Sequence, residues 1–203
     1  MSRAMNEFVI RARKAPTRAD DFLAAVGKDG HVEYLAQIFN NTLFVSKGHR
    51  EDTILTFVLE DSMDYSRAIT VRGDQLGSLA GTTESDILNL LASTLRLAEG
   101  LAKEAVLETP EGIIVQAISF EHLVKHRLET QQVYLLDKKG VDVRQQEFEE
   151  NAVFLLTDHI PMPRKTFKSL KRQGVANISL GPIMLHASQC VVLIQNELDR
   201  QLY

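Results

Sequence analysis

Two stretches in the last third of the chain decide its fold: Val153-Phe-Leu-Leu-Thr-Asp-His-Ile160 and Ile178-Ser-Leu-Gly-Pro-Ile-Met-Leu-His-Ala-Ser-Gln-Cys190. Each opens with a short apolar run that indicates a buried strand, and each continues through a loop toward a helical segment. Strands that alternate with helices favour a mostly parallel sheet. Because ligands of such sheets bind beyond the carboxyl ends of the strands, we expect functional loops to begin at Asp137, Thr157 and Gly181.

The same alternation continues through the rest of the chain. The predicted strands cover residues 8–12, 53–59, 68–71, 113–118, 133–136, 152–156 and 177–180. The predicted helices cover residues 19–26, 31–39, 83–101, 120–128, 164–172 and 185–202. Thr83 and Asp86 have the spacing of a helix N-cap, and Asp137–Gly140 reads as a turn. We therefore predict an α/β fold with a mostly parallel sheet and helices on both faces.

Composition places the chain among ordinary globular proteins. It has 203 residues, of which 44% are hydrophobic and 25% are charged. No apolar run is long enough for a membrane-spanning helix, and the first residues do not resemble a signal peptide. The single cysteine, Cys190, excludes an intramolecular disulfide. A cytoplasmic location without a membrane partner is the simplest prediction.

Several common catalytic and binding motifs are absent from the sequence. A glycine-rich dinucleotide fingerprint, a P-loop and a nucleophile elbow are all missing. His122 and His126 have the i, i+4 spacing that could hold a metal, but no third ligand accompanies them, so we predict no metal site. Cys190 lies in an apolar helical segment, where a buried structural thiol is the ordinary expectation.

The two opening stretches carry a more specific signal together. The order of a strand, Leu-x-Thr-Asp-His-Ile, a helix, Ile-Ser-Leu-Gly-Pro-x-x-Leu-His-Ala-x-x-Cys and a long helix resembles the TrmY-type tRNA pseudouridine-N1-methyltransferases. These enzymes belong to the SPOUT superfamily of trefoil-knot methyltransferases. Asn6–Ala12 and Val45–Thr53 are similar to family segments as well. Thr157, Gly181 and the 46–50 loop depart from the family pattern, in which Gly often stands at the first position and Ser at the second.

The resemblance implies a cofactor, a knot and a partner. We expect S-adenosylmethionine to bind against a C-terminal trefoil knot in a single domain, with an α/β part over about residues 1–110 and a knotted part over about residues 111–203. The cofactor-binding residues implied are Leu135, Leu136, Thr157, Asp158, His159, Ser179, Leu180, Gly181, Leu185 and Cys190. The family also forms homodimers through its last helix, and the apolar run Val191–Ile194 is consistent with that expectation.

The implied reaction is methylation of N1 of a pseudouridine in tRNA or another structured RNA. Loss of the N1 proton calls for an acceptor, for which Asp158 and His159 are candidates and Arg50 with Asp52, contributed by the partner subunit, is another pair. Asp158 has the alternative of bracing a turn. Two other functions stay open: an RNA-binding or assembly factor that has lost catalysis, and a methyltransferase for another class of substrate.

The distribution of charge suggests where RNA binds. The net charge is −4, yet basic residues gather in the N-terminal quarter and in the predicted helix 164–172. A basic face on an acidic protein can attract phosphate. The predicted RNA-binding residues are Arg11, Arg13, Arg50, Arg164, Lys165 and Lys168. The alternative is that these arginines pair with the acidic middle of the chain and stabilise the fold.

Overall fold

Strands and helices alternate along residues 4–202, the part of the chain that the computed structural model describes. The strands of that part are β1 (Asn6–Pro16), β2 (Phe44–Val45), β3 (Gly48–His49), β4 (Thr53–Asp61), β5 (Arg67–Arg72), β6 (Val106–Glu108), β7 (Ile113–Ala117), β8 (Val133–Asp142), β9 (Val153–Thr157) and β10 (Ala176–Ser179). Its helices are α1 (Ala19–Ala24), α2 (Glu33–Leu43), α3 (Glu84–Leu97), α4 (Phe120–Leu128), α5 (Arg164–Arg172) and α6 (Ala187–Gln201).

An eight-stranded sheet crosses the molecule in the order β10-β8-β9-β1-β4-β5-β7-β6. From β10 to β4 each strand runs parallel to its neighbour, and from β4 to β6 each runs antiparallel. The predicted α/β fold with a mostly parallel sheet is therefore confirmed, and the sheet carries an antiparallel extension. Strands that precede and strands that follow residue 110 in the chain belong to this one sheet. The expected division of the domain into an α/β part and a knotted part near that residue stays a prediction.

Helices cover both faces of the sheet, as the sequence predicts. Phe39 of α2, Leu91 of α3 and Ile194 of α6 belong to one apolar core, to which α1 also contributes. Leu123 of α4 and Leu170 of α5 belong to a second core on the other face. The central strand β1 is buried on both faces, as is typical of a parallel strand: Phe8 and Ile10 belong to the first core and Val9 to the second.

Local signals in the sequence set several element boundaries. The Thr83 hydroxyl accepts a hydrogen bond from the Asp86 backbone N–H, and the Asp86 carboxylate accepts one from the Thr83 N–H, which confirms the predicted start of α3. The last helix begins at Ala187 and not at Leu185, because the His186 N–H is bonded to the Gln189 side chain, an N-terminal cap. The short strands β2, β3 and β6 were not predicted.

The predicted turn at Asp137–Gly140 is an excursion inside β8. Asn177 of β10 pairs with Leu135 of β8, and the next residue of β10, Ile178, pairs with Val141 of β8. Residues 136–140 of β8 therefore loop out of the sheet between these two pairs. Gly140 then lies so close to β10 that a Cβ atom there would be 2.6 Å from backbone atoms of Asn177 and Ile178. The threading of the chain through a trefoil knot stays a prediction.

No helix within residues 4–202 is long and apolar enough to cross a membrane. The cytoplasmic location stays a prediction.

Candidate cofactor and RNA site

The carboxyl ends of the parallel strands meet at a cavity of about 630 Å³. Its walls come from the β8 excursion, from the loop after β9 and from the loop between β10 and α6. All but one of the residues expected to bind the cofactor line it: Leu135, Leu136, Thr157, Asp158, His159, Leu180, Gly181, Leu185 and Cys190. The volume is within the usual range for a small-molecule pocket.

Ser179 is the predicted cofactor residue that does not line the cavity. Its hydroxyl lies 3.4 Å from the Lys138 carbonyl oxygen, to which it donates, and it accepts a hydrogen bond from the Gly181 N–H. Ser179 thus ties the β8 excursion to the loop after β10. Its place in the fold is that of a brace between two walls of the cavity.

Gly181 has a backbone φ of +105°, in the left-handed region that side chains with a Cβ rarely adopt. No atom lies within 4 Å of the position that a Cβ would take. The glycine is therefore required by its backbone conformation, and its open side leaves the peptide accessible where it lines the cavity.

Burial keeps the Cys190 thiol unreactive. The residue is 8% exposed, and loss of solvent raises the pKa of the thiol from the ordinary 9.0 to about 11. A nucleophilic cysteine requires the opposite shift. Cys190 forms part of the apolar wall, which agrees with the expectation of a structural thiol.

Asp158 and His159 form a polar part of the cavity wall. The Asp158 side chain is 1% exposed, and its Oδ2 lies 3.2 Å from Nδ1 of His159 without hydrogen-bonding geometry, so both atoms lack a hydrogen-bond partner. Asp158 Oδ1 accepts a hydrogen bond from the Ile160 N–H, and His159 Nε2 is 3.1 Å from the carbonyl oxygen of Asp29. Asp158 therefore braces the turn and faces a ring that covers it.

Tyr34 and His186 are among the lining residues that the sequence did not predict as part of the site. Tyr34 lies on α2, more than a hundred residues before the cavity loops, and its ring centroid is 5.9 Å from that of His186. No local pattern marks a tyrosine on a helix as part of a distant pocket, so only the tertiary arrangement reveals it.

The comparisons with known proteins agree with this geometry. The family described as "Putative SAM-dependent RNA methyltransferase" matches residues 5–203. The chain belongs to this family. It is an S-adenosylmethionine-dependent RNA methyltransferase, with RNA as its substrate.

Its relatives match over nearly their whole length. The methyltransferase is 50% identical over 198 residues to a "Putative pseudouridine methyltransferase" of Shewanella frigidimarina, covering 98% of this chain and 100% of the relative. It is 51% identical over 195 residues to a protein of the same name from Vibrio parahaemolyticus, covering 96% and 98%. A solved structure, Nep1 of Archaeoglobus fulgidus bound to S-adenosylhomocysteine, has a TM-score of 0.62 at 13% identity, covering 98% and 100% of the two chains. That last likeness supports the SPOUT fold.

The cavity of the methyltransferase suits S-adenosylmethionine chemically. Leucine side chains at 135, 155, 156, 180 and 185 form an apolar wall against which an adenine ring can pack. Backbone at Gly181 and the carboxylate of Asp137 supply polar groups at the same cavity. We expect an apolar pocket with a few polar groups for a ligand that is part nucleoside and part amino acid.

The other predicted catalytic residues lie elsewhere in the chain. Asp52 directly precedes β4, and the pairing of β4 with β1 puts it at the amino ends of these strands. Asp158 follows the carboxyl end of β9, at the opposite ends of the strands, and the register places it roughly 23 Å from Asp52 along the strand direction at about 3.3 Å per residue. Arg50 donates two hydrogen bonds, of 2.9 and 2.8 Å, to Asp199 of α6. One chain does not bring these residues to Asp158.

The surroundings of Arg11 do not favour the predicted contact with RNA phosphate, which stays a prediction. Arg11 is 7% exposed and donates to Glu60 at 3.0 Å and to Glu121 at 3.1 Å, and its guanidinium carbon lies 4.6 Å from the centroid of the Phe120 ring. The strand pattern alone could not show that two carboxylates face this arginine. The structural alternative, pairing with the acidic middle of the chain, holds through Glu60.

The remaining predicted RNA-binding residues differ in their surroundings. Arg13 on β1 is exposed, and so are Arg164, Lys165 and Lys168 on α5. Only Leu170 of α5 is buried, so most of that helix presents basic side chains to solvent. Arg50 is engaged by Asp199, which raises the pKa of its guanidinium.

Proposed function

We propose that the methyltransferase modifies N1 of a pseudouridine in a structured RNA, with tRNA as the first substrate to test. The carrying observation is that three loops at the carboxyl ends of the parallel strands surround one cavity, in a chain about half identical to proteins named for pseudouridine methylation. Within one family, that degree of identity over almost the full length supports a shared acceptor base.

The proposed reaction is a displacement at carbon. Bound S-adenosylmethionine supplies a methyl carbon made electrophilic by its sulfonium. A bond forms between that carbon and N1 of the base as the carbon–sulfur bond breaks, and the N1 proton goes to an acceptor. The task of the protein is to hold both partners in line, because positioning provides most of the acceleration in such a displacement.

Asp158 has two proposed tasks in this arrangement. Its carboxylate lies 3.2 Å from Nδ1 of His159, so its first task is to position that ring at the cavity. Its Oδ2 lacks a hydrogen-bond partner, and a shift of the ring would present this oxygen to the N1–H of a bound base. Asp158 is therefore the proton acceptor that we propose within the same chain.

A homodimer through α6 would bring the second predicted pair to the site. Val191 and Ile194 are fully buried in the core, whereas Val192 and Leu193 are 44% and 42% exposed on the outer face of the same helix. A two-fold axis perpendicular to α6 near these two residues would pack the helix against its copy in opposite directions. Because α6 begins at the cavity and ends beside Arg50, each Arg50–Asp199 pair would then lie toward the cavity of the other copy.

The dimer is tested with residues that the core does not need. Replacing Val192 and Leu193 together by Asp should give a monomer by sedimentation at micromolar concentration, with an unchanged circular dichroism spectrum. Ile194 is unsuitable for this test because it is buried in the monomer. A wild-type protein that sediments as a monomer would overturn this part of the proposal.

The reaction is tested by mass spectrometry of nucleosides from RNA of a strain that lacks the protein. N1-methylpseudouridine should disappear from one RNA class and return when the wild-type gene is restored. Purified protein should then transfer a labelled methyl group from S-adenosylmethionine to that RNA, but not to the same sequence made with uridine. Equal transfer to uridine would show that pseudouridine is not the acceptor.

A further inference from the structure

A group of four aromatic rings lies on one side of the cavity. His31 stacks on Tyr34 with centroids 5.2 Å apart and an interplanar angle of 18°, and the edge of His159 meets His31 at 4.8 Å and Tyr34 at 6.0 Å. Tyr34 also contacts His186 at 5.9 Å. We call His31, Tyr34, His159 and His186 the ring cluster. It is separate from the leucine wall that suits adenine.

The segment 27–31 holds the ring cluster in place. His31 has a φ of +45°, a conformation that residues other than glycine seldom adopt and that tertiary contacts must maintain. A Cβ on Gly30 would lie 3.3 Å from the Lys14 carbonyl oxygen, so the segment packs closely on the end of β1. The Asp29 carbonyl contacts His159 Nε2, which fixes that ring from the same segment.

A basic cleft lies on the other side of this segment. It is lined by Arg13, Lys14 and Lys28 together with the carboxylates of Asp29 and Asp61. Among residues 4–202, none of the three basic side chains forms an ion pair, and all three are exposed. Asp29 belongs to the cleft and contacts His159 in the cavity wall, so a single segment separates the two depressions.

We propose that the ring cluster and the basic cleft together seat the target nucleotide: its base stacks on the Tyr34–His186 side of the ring cluster, and the adjoining phosphates bind Arg13, Lys14 and Lys28. This inference rests on the proposed function, for which it names the RNA contacts. Base–aromatic stacking is the usual way in which proteins hold an unstacked base of single-stranded RNA.

The pairing of the two depressions favours RNA over the cofactor as the occupant. S-adenosylmethionine carries no phosphate, and its one carboxylate is outweighed by its ammonium and sulfonium charges, so a cleft with three basic side chains suits a phosphate chain better than the cofactor. A nucleotide within an RNA chain carries a flat base and a phosphate on each side. The ring cluster, which suits the base, and the basic cleft, which suits the phosphates, lie on opposite sides of segment 27–31. The base must leave its stack to reach the cavity, which favours a loop nucleotide as substrate.

The test measures binding of fluorescent RNA hairpins with a seven-nucleotide loop, in the presence of saturating S-adenosylhomocysteine. One hairpin has a pseudouridine in the loop, and the other has an abasic residue at that position. Wild-type protein should prefer the pseudouridine hairpin by on the order of tenfold, since stacking of one base supports that ratio. Tyr34→Leu should reduce the ratio to about one, and Tyr34→Phe should restore it.

Further variants separate the contribution of the ring cluster from that of the basic cleft. His31→Asn should also lower the ratio, and it removes a ring while keeping a residue type that tolerates the left-handed backbone. Lys14→Ala with Lys28→Ala should weaken both hairpins equally and reduce the salt slope by about 0.7 for each phosphate that the variant no longer neutralises. Lys125→Ala on α4 is the matched control, because this exposed lysine lies on the opposite face of the sheet, and it should change nothing.

Two results would overturn the inference. One is a wild-type ratio of one between the hairpins. The other is a Tyr34→Leu protein that keeps the ratio but loses affinity for S-adenosylhomocysteine in calorimetry, which would assign the ring cluster to the cofactor. Methyl transfer is scored separately: wild-type protein that discriminates the hairpins but transfers no methyl group would contradict the proposed reaction and leave the seat supported.

Discussion

The loops of the parallel half of the sheet line the cavity, whereas a turn in the antiparallel half is closed by its own hydrogen bonds. The strands β8, β9 and β10 lead into an excursion and two loops that open onto the cavity. In the antiparallel half, the turn between β4 and β5 is closed on itself: Arg67 donates to the Asp64 carboxylate and the Tyr65 carbonyl, and Ser62 donates to Asp64. These bonds hold the pKa of Asp64 well below its usual range.

The two halves also differ in their buried polar atoms that lack a hydrogen-bond partner. Within residues 4–202, five buried side-chain polar atoms lack a hydrogen-bond partner, and those of Asp158, His159 and Asn177 belong to the parallel half, beside or behind the cavity. A buried polar group without a partner costs stability, so such groups tend to persist where a ligand meets them. These observations support a division in which the antiparallel half mainly stabilises the fold and the parallel half holds the binding site.

The largest effect on stability should follow from a substitution that removes a buried side chain from the antiparallel half. Ile69 of β5 is fully buried, and Ile69→Ala should lower the free energy of unfolding by about 2–5 kcal/mol. Chemical denaturation measures this loss, and calorimetry below the transition should find the affinity for S-adenosylmethionine unchanged. Met63→Ala, at a side chain that is 98% exposed, is the control that should alter neither quantity. A weakened cofactor site in Ile69→Ala would break the division between the halves.

Arg11 and Arg13 show that stabilising and binding roles also divide within β1, a single strand of the parallel half. Arg11→Met should destabilise the protein by about 1–3 kcal/mol, because it leaves the half-buried Glu60 carboxylate without its partner. It should leave the affinity for RNA intact. Arg13→Ala should do the reverse, lowering RNA affinity at unchanged melting temperature. Loss of RNA affinity in Arg11→Met at unchanged stability would restore the phosphate contact that the buried position argues against.

Two glycines with the same backbone conformation offer a matched pair. Gly181 and Gly174 have φ values of +105° and +99°, and neither has an atom within 4 Å of a Cβ position. Valine at either site should cost roughly 1–2 kcal/mol of backbone strain. Only Gly181→Val should also reduce cofactor affinity, by tenfold or more, because only Gly181 lines the cavity. Equal cofactor affinity in both variants would mean that the cavity is not the binding site.

The smallest effect concerns the Cys190 thiol. Because burial raises its pKa to about 11, the thiolate is scarce at neutral pH and becomes abundant only as pH rises toward that value. The rate of alkylation by iodoacetamide should therefore rise about tenfold per pH unit from pH 8 to pH 10, and saturating S-adenosylmethionine should slow it further. A rate that reaches its plateau near pH 8 would contradict the buried, protonated thiol.

The sequence predicted the elements whose causes are local. The capping pair Thr83 and Asp86, the apolar strands and the loop positions after Thr157 and before Gly181 all follow from neighbours in the chain. For the β8 excursion the sequence predicts only a simple turn, because its return to β10 depends on pairing with Ile178, about forty residues away in the chain. The burial of Arg11 and the place of Tyr34 likewise depend on contacts between distant segments, which periodicity does not encode.

The packing of Gly140 against β10 has a consequence for mutational tolerance. At most glycines in turns, the constraint is a backbone angle, and residues such as asparagine can meet it at modest cost. At Gly140 the constraint is space between two strands, since the first carbon of any side chain would overlap the backbone of Asn177 and Ile178. In a library that samples every amino acid at position 140, we expect only the glycine variant to keep its function, whatever the chemical character of the other side chains.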